Sequence, residues 1–331
     1  MLKIGKLDSA LLEELVFKNI RWRRPEVLTR PGIGEDCAVV DFGSYECILS
    51  TDPITAAVKD IGRLAVHISC NDVAANGIEP LGLLLAIMLP EGTTKEELNE
   101  IMSQAGKASE ELGVEIIGGH TEVTPAVIKP VIVSTAIGRG AKWSSQNAEN
   151  MTPGDLVYVT KSIGLEGTGI IATDRGEELR DVLSQEDLEY AKGFMELVSV
   201  VREGVLGGKI GTKGMHDITE GGVLGSIWEM CQVANTGAEI YVDKIPVEEV
   251  TKAICETFDI DYLRLISSGS MMIMVSPEKK EEMERAMKEA KIKFTMIGTI
   301  KPLDQGVCMV VEGERIEIAS PTTDEIYKAL A

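Results

Sequence analysis

The fold class is decided by two neighbouring stretches, Ile61-Gly-Arg-Leu-Ala-Val-His-Ile-Ser-Cys-Asn-Asp-Val-Ala-Ala-Asn-Gly77 and Leu83-Leu-Leu-Ala-Ile-Met-Leu89. The first predicts a helix that ends at a glycine suited to a left-handed cap. The second is a continuous apolar run stopped by Pro90, which is typical of a buried strand. A helix that leads into a buried strand indicates an α/β protein.

Helices and strands alternate on both sides of this pair. In the first half we predict a helix over Ala10–Ile20. A second helix begins with the capping-box pair Thr94 and Glu97 and runs to about Gly113. The predicted strands of this half are Cys37–Val40, Cys47–Ser50, Val114–Ile117 and Val131–Ile137. The polar stretch Lys142–Thr152, followed by Pro153, predicts a domain boundary.

The second half restarts with a predicted strand over Leu156–Thr160. A glycine-rich turn is expected over Gly164–Gly169, followed by a helix that Ser184 caps and that ends near Gly204. The next predicted elements are a helix that Gly221-Gly222 opens, a helix over Val247–Phe258 and a strand over Met271–Val275. Ser276-Pro277 then starts a helix, and strands near the end lead to a last short helix over Thr323–Leu330. We therefore predict two α/β domains, residues 1–150 and residues 151–331.

The composition limits the partners of this protein. The chain has 331 residues, of which 53 are acidic and 33 basic, so its formal net charge is −20. Such a field repels nucleic acids and anionic membranes. The six cysteines form no CxxC, the longest apolar run, Leu81–Leu89, is too short to cross a bilayer, and Met1–Leu12 has no secretory leader. We expect a reduced, cytoplasmic protein without a zinc site.

Several carboxylates stand beside glycines or at the ends of short elements: Glu35, Asp36, Asp52, Asp72 and Asp217. Such oxygens suit Mg²⁺, which bridges carboxylates to phosphate groups, while nearby glycines let backbone N–H groups approach those phosphates. Taken singly, most have an ordinary explanation as a turn, a solvated loop or a helix-start acid. Asp72 is harder to explain, because its neighbours are apolar and a buried carboxylate needs partners. Spacing alone leaves open whether the acids meet.

The histidines and the glycine-rich turns are weaker evidence for a functional site than the carboxylates are. His67 is best explained as structural, whereas His120 follows Gly118-Gly119, which predicts a tight exposed turn where a ligand could reach the imidazole. The phosphate-loop pattern GxxxxGK[ST] is absent, and Gly164–Gly169 lacks the spacing of a dinucleotide-binding loop. The sequence supports no Ser–His–Asp or Cys–His arrangement.

Taken together, five motifs resemble the aminoimidazole ribonucleotide (AIR) synthase-related, or PurM-like, superfamily. They occur in that family's order and cover nearly the whole chain. The pattern is most similar to the HypE branch, the hydrogenase-maturation proteins. The motifs are Gly32-Ile-Gly-Glu-Asp-Cys-Ala-Val-Val40, Ser50-Thr-Asp-Pro53, the stretch Asp60–Pro80, Gly118-Gly-His-Thr-Glu122 and His216-Asp-Ile-Thr-Glu-Gly-Gly222.

The resemblance implies a PurM-like fold in which the N-terminal α/β domain forms a dimeric β-barrel with a second subunit and the C-terminal α/β domain packs on it. It implies the cofactors ATP and Mg²⁺, and a reaction that phosphorylates a carbonyl or amide oxygen. The metal acids map to Glu35, Asp36, Asp52, Asp72 and Asp217. The nucleotide-binding set comprises those five and Gly34, Asn71, Gly118, Gly119 and Thr121. Asp72 and His120 are the catalytic candidates.

Two departures from the family pattern bear on the activity. Proteins of the HypE branch end in a tail with a terminal cysteine that carries the reacting group. This chain ends at Ala331 and its last cysteine is Cys308, so we expect the carrier thiol to be missing. Many relatives also have an acid where this chain has His120. A neutral imidazole binds Mg²⁺ poorly, so His120 is expected to contact phosphate or to act as an acid–base group.

These observations leave three functions open. The first is a Mg-ATP-dependent, HypE-like enzyme that activates an oxygen of a small substrate by phosphoryl transfer. The second is a nucleotide-binding scaffold that serves a maturation-protein partner without turnover. The third, which the motifs around His120 and His216 fit less well, is a purine-pathway AIR synthase.

Overall fold

The computed structural model describes residues 7, 9–55, 59–321 and 323–330, and within them lie two β-sheets with helices packed on them. The first sheet has the strand order β1-β2-β3-β6-β4-β5, and the second has the order β13-β12-β9-β11-β7-β10-β8. The strands of the first sheet are β1 (Val27–Thr29), β2 (Ala38–Asp41), β3 (Tyr45–Ile54), β4 (Pro80–Leu89), β5 (Glu115–Val123) and β6 (Val131–Ala141). Those of the second are β7 (Leu156–Thr160), β8 (Gly214–Asp217), β9 (Gly237–Tyr241), β10 (Met271–Val275), β11 (Phe294–Lys301), β12 (Val307–Val311) and β13 (Glu314–Glu317).

The helices alternate with these strands. The α-helices are α1 (Ser9–Leu11), α2 (Ile61–Ala75), α3 (Lys95–Leu112), α4 (Leu165–Asp174), α5 (Gln185–Lys192), α6 (Val201–Ile210), α7 (Gly222–Ala234), α8 (Glu249–Thr257), α9 (Lys280–Glu289) and α10 (Ile326–Ala329). This mixed α/β arrangement confirms the predicted fold class, while the boundary near residue 150 stays a prediction. None of the helices in the described part of the chain is long and apolar enough to span a bilayer.

Helix α2 lies at the centre of the molecule. It begins at Ile61 as predicted and ends at Ala75, and Gly77 follows in a left-handed conformation (φ 77°). On one side its Ser69 hydroxyl donates to the Ser134 carbonyl of β6 at 3.2 Å. On the other side α6 approaches so closely that a Cβ at Gly204 would lie 2.2 Å from the Ala74 carbonyl oxygen. The helix therefore joins the first sheet to the second half of the chain.

Asn71 strengthens this junction. Its side-chain N–H donates to the Val198 carbonyl at 2.8 Å, and its Oδ1 accepts from the Val200 N–H at 2.9 Å. Both hydrogen bonds are buried. They satisfy the Val198 carbonyl and the Val200 N–H, which water cannot reach. The Asn71 amide is thus used to hold the segment before α6.

Two local predictions for the second half are wrong. The expected turn over Gly164–Gly169 is mostly helix, since α4 begins at Leu165 after Gly164 in a left-handed conformation (φ 73°). Gly167 lies inside α4. A glycine is needed at this position because a Cβ there would meet the Leu265 side chain at 2.5 Å. The helix capped by Ser184 ends at Lys192, and a 3-10 turn separates it from α6.

The N-terminal helix also differs from the prediction. After α1 the chain continues as a π-helix over Leu12–Val16 and a 3-10 turn over Phe17–Asn19. None of these residues is buried, so the segment gains little tertiary packing to enforce regular α geometry.

Strand β5 is an edge strand that pairs only with β4 among the described residues. The pairing is parallel and shifts by one residue near Ile117, which creates a bulge. Gly119 follows the bulge with φ 146°, and a Cβ there would lie 1.9 Å from the Leu85 carbonyl oxygen. The second glycine of the pair, Gly119, is therefore explained by this close approach of two backbones.

Candidate functional site

Four of the predicted acids come from separate elements and meet between the two sheets. Asp36 lies in the loop before β2, Asp52 near the end of β3, and Asp72 in the last turn of α2. Asp217 is the last residue of β8, opposite Met271 of β10. We call these four residues the acid cluster.

The cluster is tied together on the side of the first sheet by a serine. The Ser50 hydroxyl lies 3.1 Å from Asp52 Oδ2 and also contacts Asp72 Oδ2. Ser50 and Asp52 are two residues apart in β3, so their side chains lie on the same face of the strand, the one that faces α2. The hydroxyl has one proton to donate, so it cannot neutralise two carboxylates.

The electrostatics of the cluster are unfavourable without a cation. Burial, and after it the charges of Asp217 and Asp52, raise the pKa of Asp72 well above its usual value. Burial and the charge of Asp36 raise the pKa of Asp217 to about 7. Both carboxylate oxygens of Asp217 are buried, and among the described residues the only side chain that bonds to them is another acid, Asp72. Such groups are expensive to bury unless a bound cation or ligand pairs with them.

His216 is the main counter-charge, and sequence reasoning had not placed it here. Its Nδ1 lies 2.6 Å from the Asp217 carbonyl oxygen and 3.5 Å from Asp36 Oδ2, and its Nε2 lies 3.5 Å from Glu229 Oε2. Burial lowers the pKa of His216, but Asp36, Glu229 and Asp217 outweigh burial and raise it to about 10. The ring is therefore a buried imidazolium that partly balances the acids.

Glu35 and Gly34 complete this side of the site. Burial, followed by the charge of Asp36, raises the pKa of Glu35 to about 7. Gly34 has φ 75°, and a Cβ there would lie 2.9 Å from Val233 Cγ2 of α7. The loop of the first half thus lies directly against a helix of the second half, which fixes where Asp36 points.

The other predicted residues are not in the acid cluster. Asn71 is held by the backbone of Val198 and Val200, as described above. Along the first sheet Asp52 lies opposite Ser134, Ser134 opposite Leu85, and Leu85 opposite Gly119. Three strand spacings correspond to roughly 14 Å. Gly118, Gly119, His120 and Thr121 are therefore remote from the cluster within one chain.

The predicted turn at His120 is wrong. His120 lies within β5, because the bulge and Gly119 let the strand continue through the double glycine. Its ring is exposed, and its Nε2 lies 3.4 Å from Glu122 Oε2.

A metal ion has suitable ligands in the acid cluster. One ligand atom each of Asp36, His216 and Asp217 lies within 4.8 Å of the others. Because His216 is protonated, we assign it as a charge partner and the carboxylates as the ligands. Oxygen donors of this kind suit a hard divalent cation.

The raised pKa of Asp217 predicts how stability depends on pH. Its usual value is 3.8, and in the fold it is about 7, so the folded state favours the protonated acid. The associated stability is fully present below pH 4 and is lost as the pH rises through 7. We expect Asp217→Asn to match the wild type near pH 4 and to be the more stable protein, by on the order of a few kcal/mol, above pH 7.

Urea unfolding in EDTA at several pH values measures this difference. Asp304→Asn, at an exposed acid, serves as the control and should track the wild type throughout. A difference between Asp217→Asn and wild type that does not change with pH contradicts the assignment.

Two family models match the chain. The AIR synthase related protein N-terminal domain matches residues 34–140, and the AIR synthase related protein C-terminal domain matches residues 152–311. The chain belongs to the AIR synthase related family. The first model contains Asp36, Asp52 and Asp72, and the second contains Asp217.

Similar proteins of this family lie in the HypE branch, which confirms the resemblance. A protein of Methanocaldococcus jannaschii named as a hydrogenase expression/formation protein is 30% identical over 296 residues, covering 86% of this chain and 83% of that one. The carbamoyl dehydratase HypE of Rhizobium leguminosarum bv. viciae is 29% identical over 252 residues, covering 74% and 70%.

Solved structures show the same fold. A crystal structure of a HypE–HypF complex matches with a TM-score of 0.74 and 26% identity, covering 94% of this chain and 100% of that chain. A structure of the hydrogenase maturation protein HypE in complex with ATP has a TM-score of 0.75 and 23% identity, covering 96% and 95%.

Proposed function

We propose that this AIR synthase related protein is a Mg-ATP-dependent, HypE-like enzyme that transfers a phosphoryl group to a carbonyl or amide oxygen of a small acceptor. The supporting observation is the acid cluster, in which carboxylates from both halves of the chain converge and the buried Asp217 has only His216 and another acid, Asp72, as partners. A cluster of repelling carboxylates has little structural value, whereas it is the ligand set that magnesium uses with phosphates.

In this proposal Asp36, Asp52, Asp72 and Asp217 hold the metal ions, with Glu35 beside them. Bound Mg²⁺ supplies the positive charge that lets a protein of net charge −20 accept a triphosphate. Because the ligands come from a sheet, a helix and a loop packed on α7, their positions are fixed before the nucleotide arrives. The gain in rate then comes from positioning and charge neutralisation.

The experiment is isothermal titration with Mg-ATP, followed by measurement of phosphate and ADP release in the presence of small carboxamide acceptors. We expect binding that requires Mg²⁺ and slow turnover that an acceptor stimulates. Absence of Mg-ATP binding would count decisively against the proposal.

We also propose a homodimer joined through β5. Within the described part of the chain, one backbone edge of this strand pairs with no other strand, and its Ile117 and Val123 are 51% and 59% exposed. A long open edge with apolar side chains favours pairing with another copy. In such a dimer, β5 of one subunit could contribute to a nucleotide site of the other through Gly118, Gly119, His120 and Thr121. The catalytic role of His120 stays a prediction that depends on this dimer.

Ile117→Lys tests the dimer. A buried ammonium in each subunit should weaken self-association at least about 100-fold, since the two charges together cost several kcal/mol. Light scattering after gel filtration should show a dimer for the wild type and a monomer for the variant. Ile128→Lys, at a residue 96% exposed in the loop after β5, is the control. A wild-type monomer, or an unchanged Ile117→Lys dimer, contradicts the proposal.

A second candidate is a nucleotide-binding maturation scaffold. The relative with 26% identity was crystallised in a HypE–HypF complex, which favours a protein partner for this chain as well. Binding of Mg-ATP without phosphate release across the acceptor panel would select the scaffold, and acceptor-stimulated release would exclude it.

A further inference from the structure

A surface cavity lies where helix α9 ends and strand β11 begins. Its volume is about 430 Å³, which is within the usual range for small-molecule sites. Three of its six lining residues carry an ammonium group, one carries a carboxylate and two are apolar: Lys288, Lys291, Lys293, Glu284, Ile292 and Phe294. Cations therefore outnumber anions in the lining of this cavity, although the chain as a whole has a net charge of −20.

Two of the three ammonium groups are uncompensated. Lys288 and Lys291 form no ion pair with any residue that the structure describes, whereas Lys293 Nζ lies 3.3 Å from Glu248 Oε1. Arg202 adds a further cation, because its guanidinium donates at 3.1 Å to the carbonyl of the residue before Lys291. The cavity is therefore a local positive region on an acidic protein and attracts small anions.

An aromatic pair forms one wall of the cavity. The rings of Phe294 and Tyr158 are stacked, with their centroids 4.1 Å apart. Tyr158 is buried and covers one face of Phe294, so Phe294 presents its other face or an edge to the cavity. The Tyr158 hydroxyl donates to Glu284 Oε1 at 2.6 Å, which gives the carboxylate of the cavity a partner. A flat ligand ring can pack on this wall.

The backbone at Lys291 is unfavourable for lysine. Lys291 follows α9 in the left-handed region, with φ 59°. The Ile292 N–H donates to the Met287 carbonyl at 2.9 Å and the Lys291 N–H to the Lys288 carbonyl at 3.0 Å, the Schellman pattern in which glycine is favoured. The negative end of a helix favours a cation in its last turn, which accounts for Lys288 but not for Lys291 or Lys293. Strain kept at Lys291 indicates a use for its side chain.

The cavity is separate from the acid cluster. Phe294 lies opposite Thr160 of β7, and the Met271 N–H donates to the Thr160 hydroxyl at 3.0 Å. Met271 in turn lies opposite Asp217. Three strand spacings, roughly 14 Å, therefore separate Phe294 from Asp217. Thr160 and Met271 are fully buried between them, so a ligand in the cavity does not reach the proposed metal site.

We propose that this cavity binds a small phosphate monoester of a flat aromatic compound, such as a nucleoside monophosphate. The phosphate of such an ester is close to doubly charged above its second pKa of about 6, which matches the two uncompensated ammonium groups. Its oxygens accept from Lys288, Lys291 and Lys293, and its ring packs on Phe294. The site is independent of the proposed function, and no covalent step takes place in it.

The test follows the backbone amides of residues 288–294 by TROSY NMR while the full chain is titrated with phenyl phosphate, inorganic phosphate, phenol or benzoate. EDTA and low ionic strength keep the acid cluster free of metal, so that it repels the anionic probes. We expect phenyl phosphate to bind at least about tenfold more tightly than the other three. Inorganic phosphate lacks the ring, phenol lacks the charge, and benzoate carries only one charge.

Lys291→Gly separates a ligand role from a structural one. We expect it to weaken phenyl phosphate binding at least about tenfold, because a hydrogen bond to a charged group is lost. We also expect it to raise the melting temperature, because glycine relieves the left-handed backbone. Lys288→Gln should weaken binding to a similar extent without that gain in stability. Arg285→Gln is the matched control, since Arg285 is exposed on the same helix and does not line the cavity.

Several results would overturn the site. One is that phenyl phosphate leaves the amides of residues 288–294 unshifted at millimolar concentration. Another is that phenol, benzoate or inorganic phosphate binds as tightly as phenyl phosphate. Unchanged binding in both lysine variants, or an equal loss in Arg285→Gln, would show that these ammonium groups are not the ligands. A Lys291→Gly protein that melts below the wild type would show that Lys291 serves the fold.

Discussion

Replacing Asp52 and Asp72 together with asparagine is expected to abolish Mg-ATP binding and, at the same time, to stabilise the metal-free protein. The first effect follows because two of four proposed ligands lose their charge. The second follows because burial, Asp217 and Asp52 all oppose ionisation of Asp72 in the metal-free fold. We expect Mg-ATP affinity to fall at least about 100-fold, which is about 2.7 kcal/mol.

Differential scanning fluorimetry in EDTA and in Mg²⁺ measures the second effect. If removing the repulsion is worth about 2 kcal/mol, the metal-free melting temperature should rise by about 3 °C in a chain of 331 residues. Mg²⁺ should stabilise the wild type and leave the double variant unchanged. Asp304→Asn should behave like the wild type in both solutions. A double variant that still binds Mg-ATP normally, or that melts lower in EDTA, would show that these acids serve the fold.

Gly204→Ala is expected to destabilise the protein strongly, although Gly→Ala inside a helix usually does the opposite. The new Cβ would lie 2.2 Å from the Ala74 carbonyl oxygen, which belongs to the backbone of α2 and cannot rotate away. Overpacking of this kind costs about 1–3 kcal/mol, and displacement of α2 would also shift Asp72. We therefore expect lower stability together with weaker Mg²⁺ stabilisation.

Gly106→Ala is the paired comparison. Gly106 lies inside α3, and a Cβ there would meet nothing within 4 Å. This variant should gain about 0.5–1 kcal/mol through its helix propensity. Urea unfolding of both variants measures the change in the free energy of unfolding, which should be negative for Gly204→Ala and positive for Gly106→Ala. Equal changes in the free energy of unfolding for the two variants would show that α6 and α2 can move apart to admit the new Cβ without loss of stability.

Much of the fold was predictable because local chemistry specified it. The Thr94–Glu97 capping box and the glycine after α2 mark helix ends with groups that need no tertiary contact. The errors occur where tertiary packing decides. Gly167 reads as a turn residue, yet it belongs to a helix pressed against Leu265. The glycines of β5 accommodate a bulge, which no local pattern distinguishes from a turn.

In the candidate site, too, local features could be predicted from the sequence and features that depend on tertiary packing could not. Acids beside glycines could be selected singly, since their residue types and neighbours are visible in the sequence. Their convergence depends on how β8 meets the first half, which the sequence does not encode locally. His216 was missed because neighbours in a strand normally face opposite sides, so pairing it with Asp217 had no support. Glu229 lies inside a helix, where only the fold brings it to His216.

Helix α2 presents Asp72 to the acid cluster while Asn71 binds the backbone of Val198 and Val200. Adjacent residues of one helix thus serve the proposed metal site and the junction between the two halves of the chain. A hinge motion between the halves would have to break these two buried hydrogen bonds, so we expect the halves to keep their relative position when the acid cluster binds a ligand.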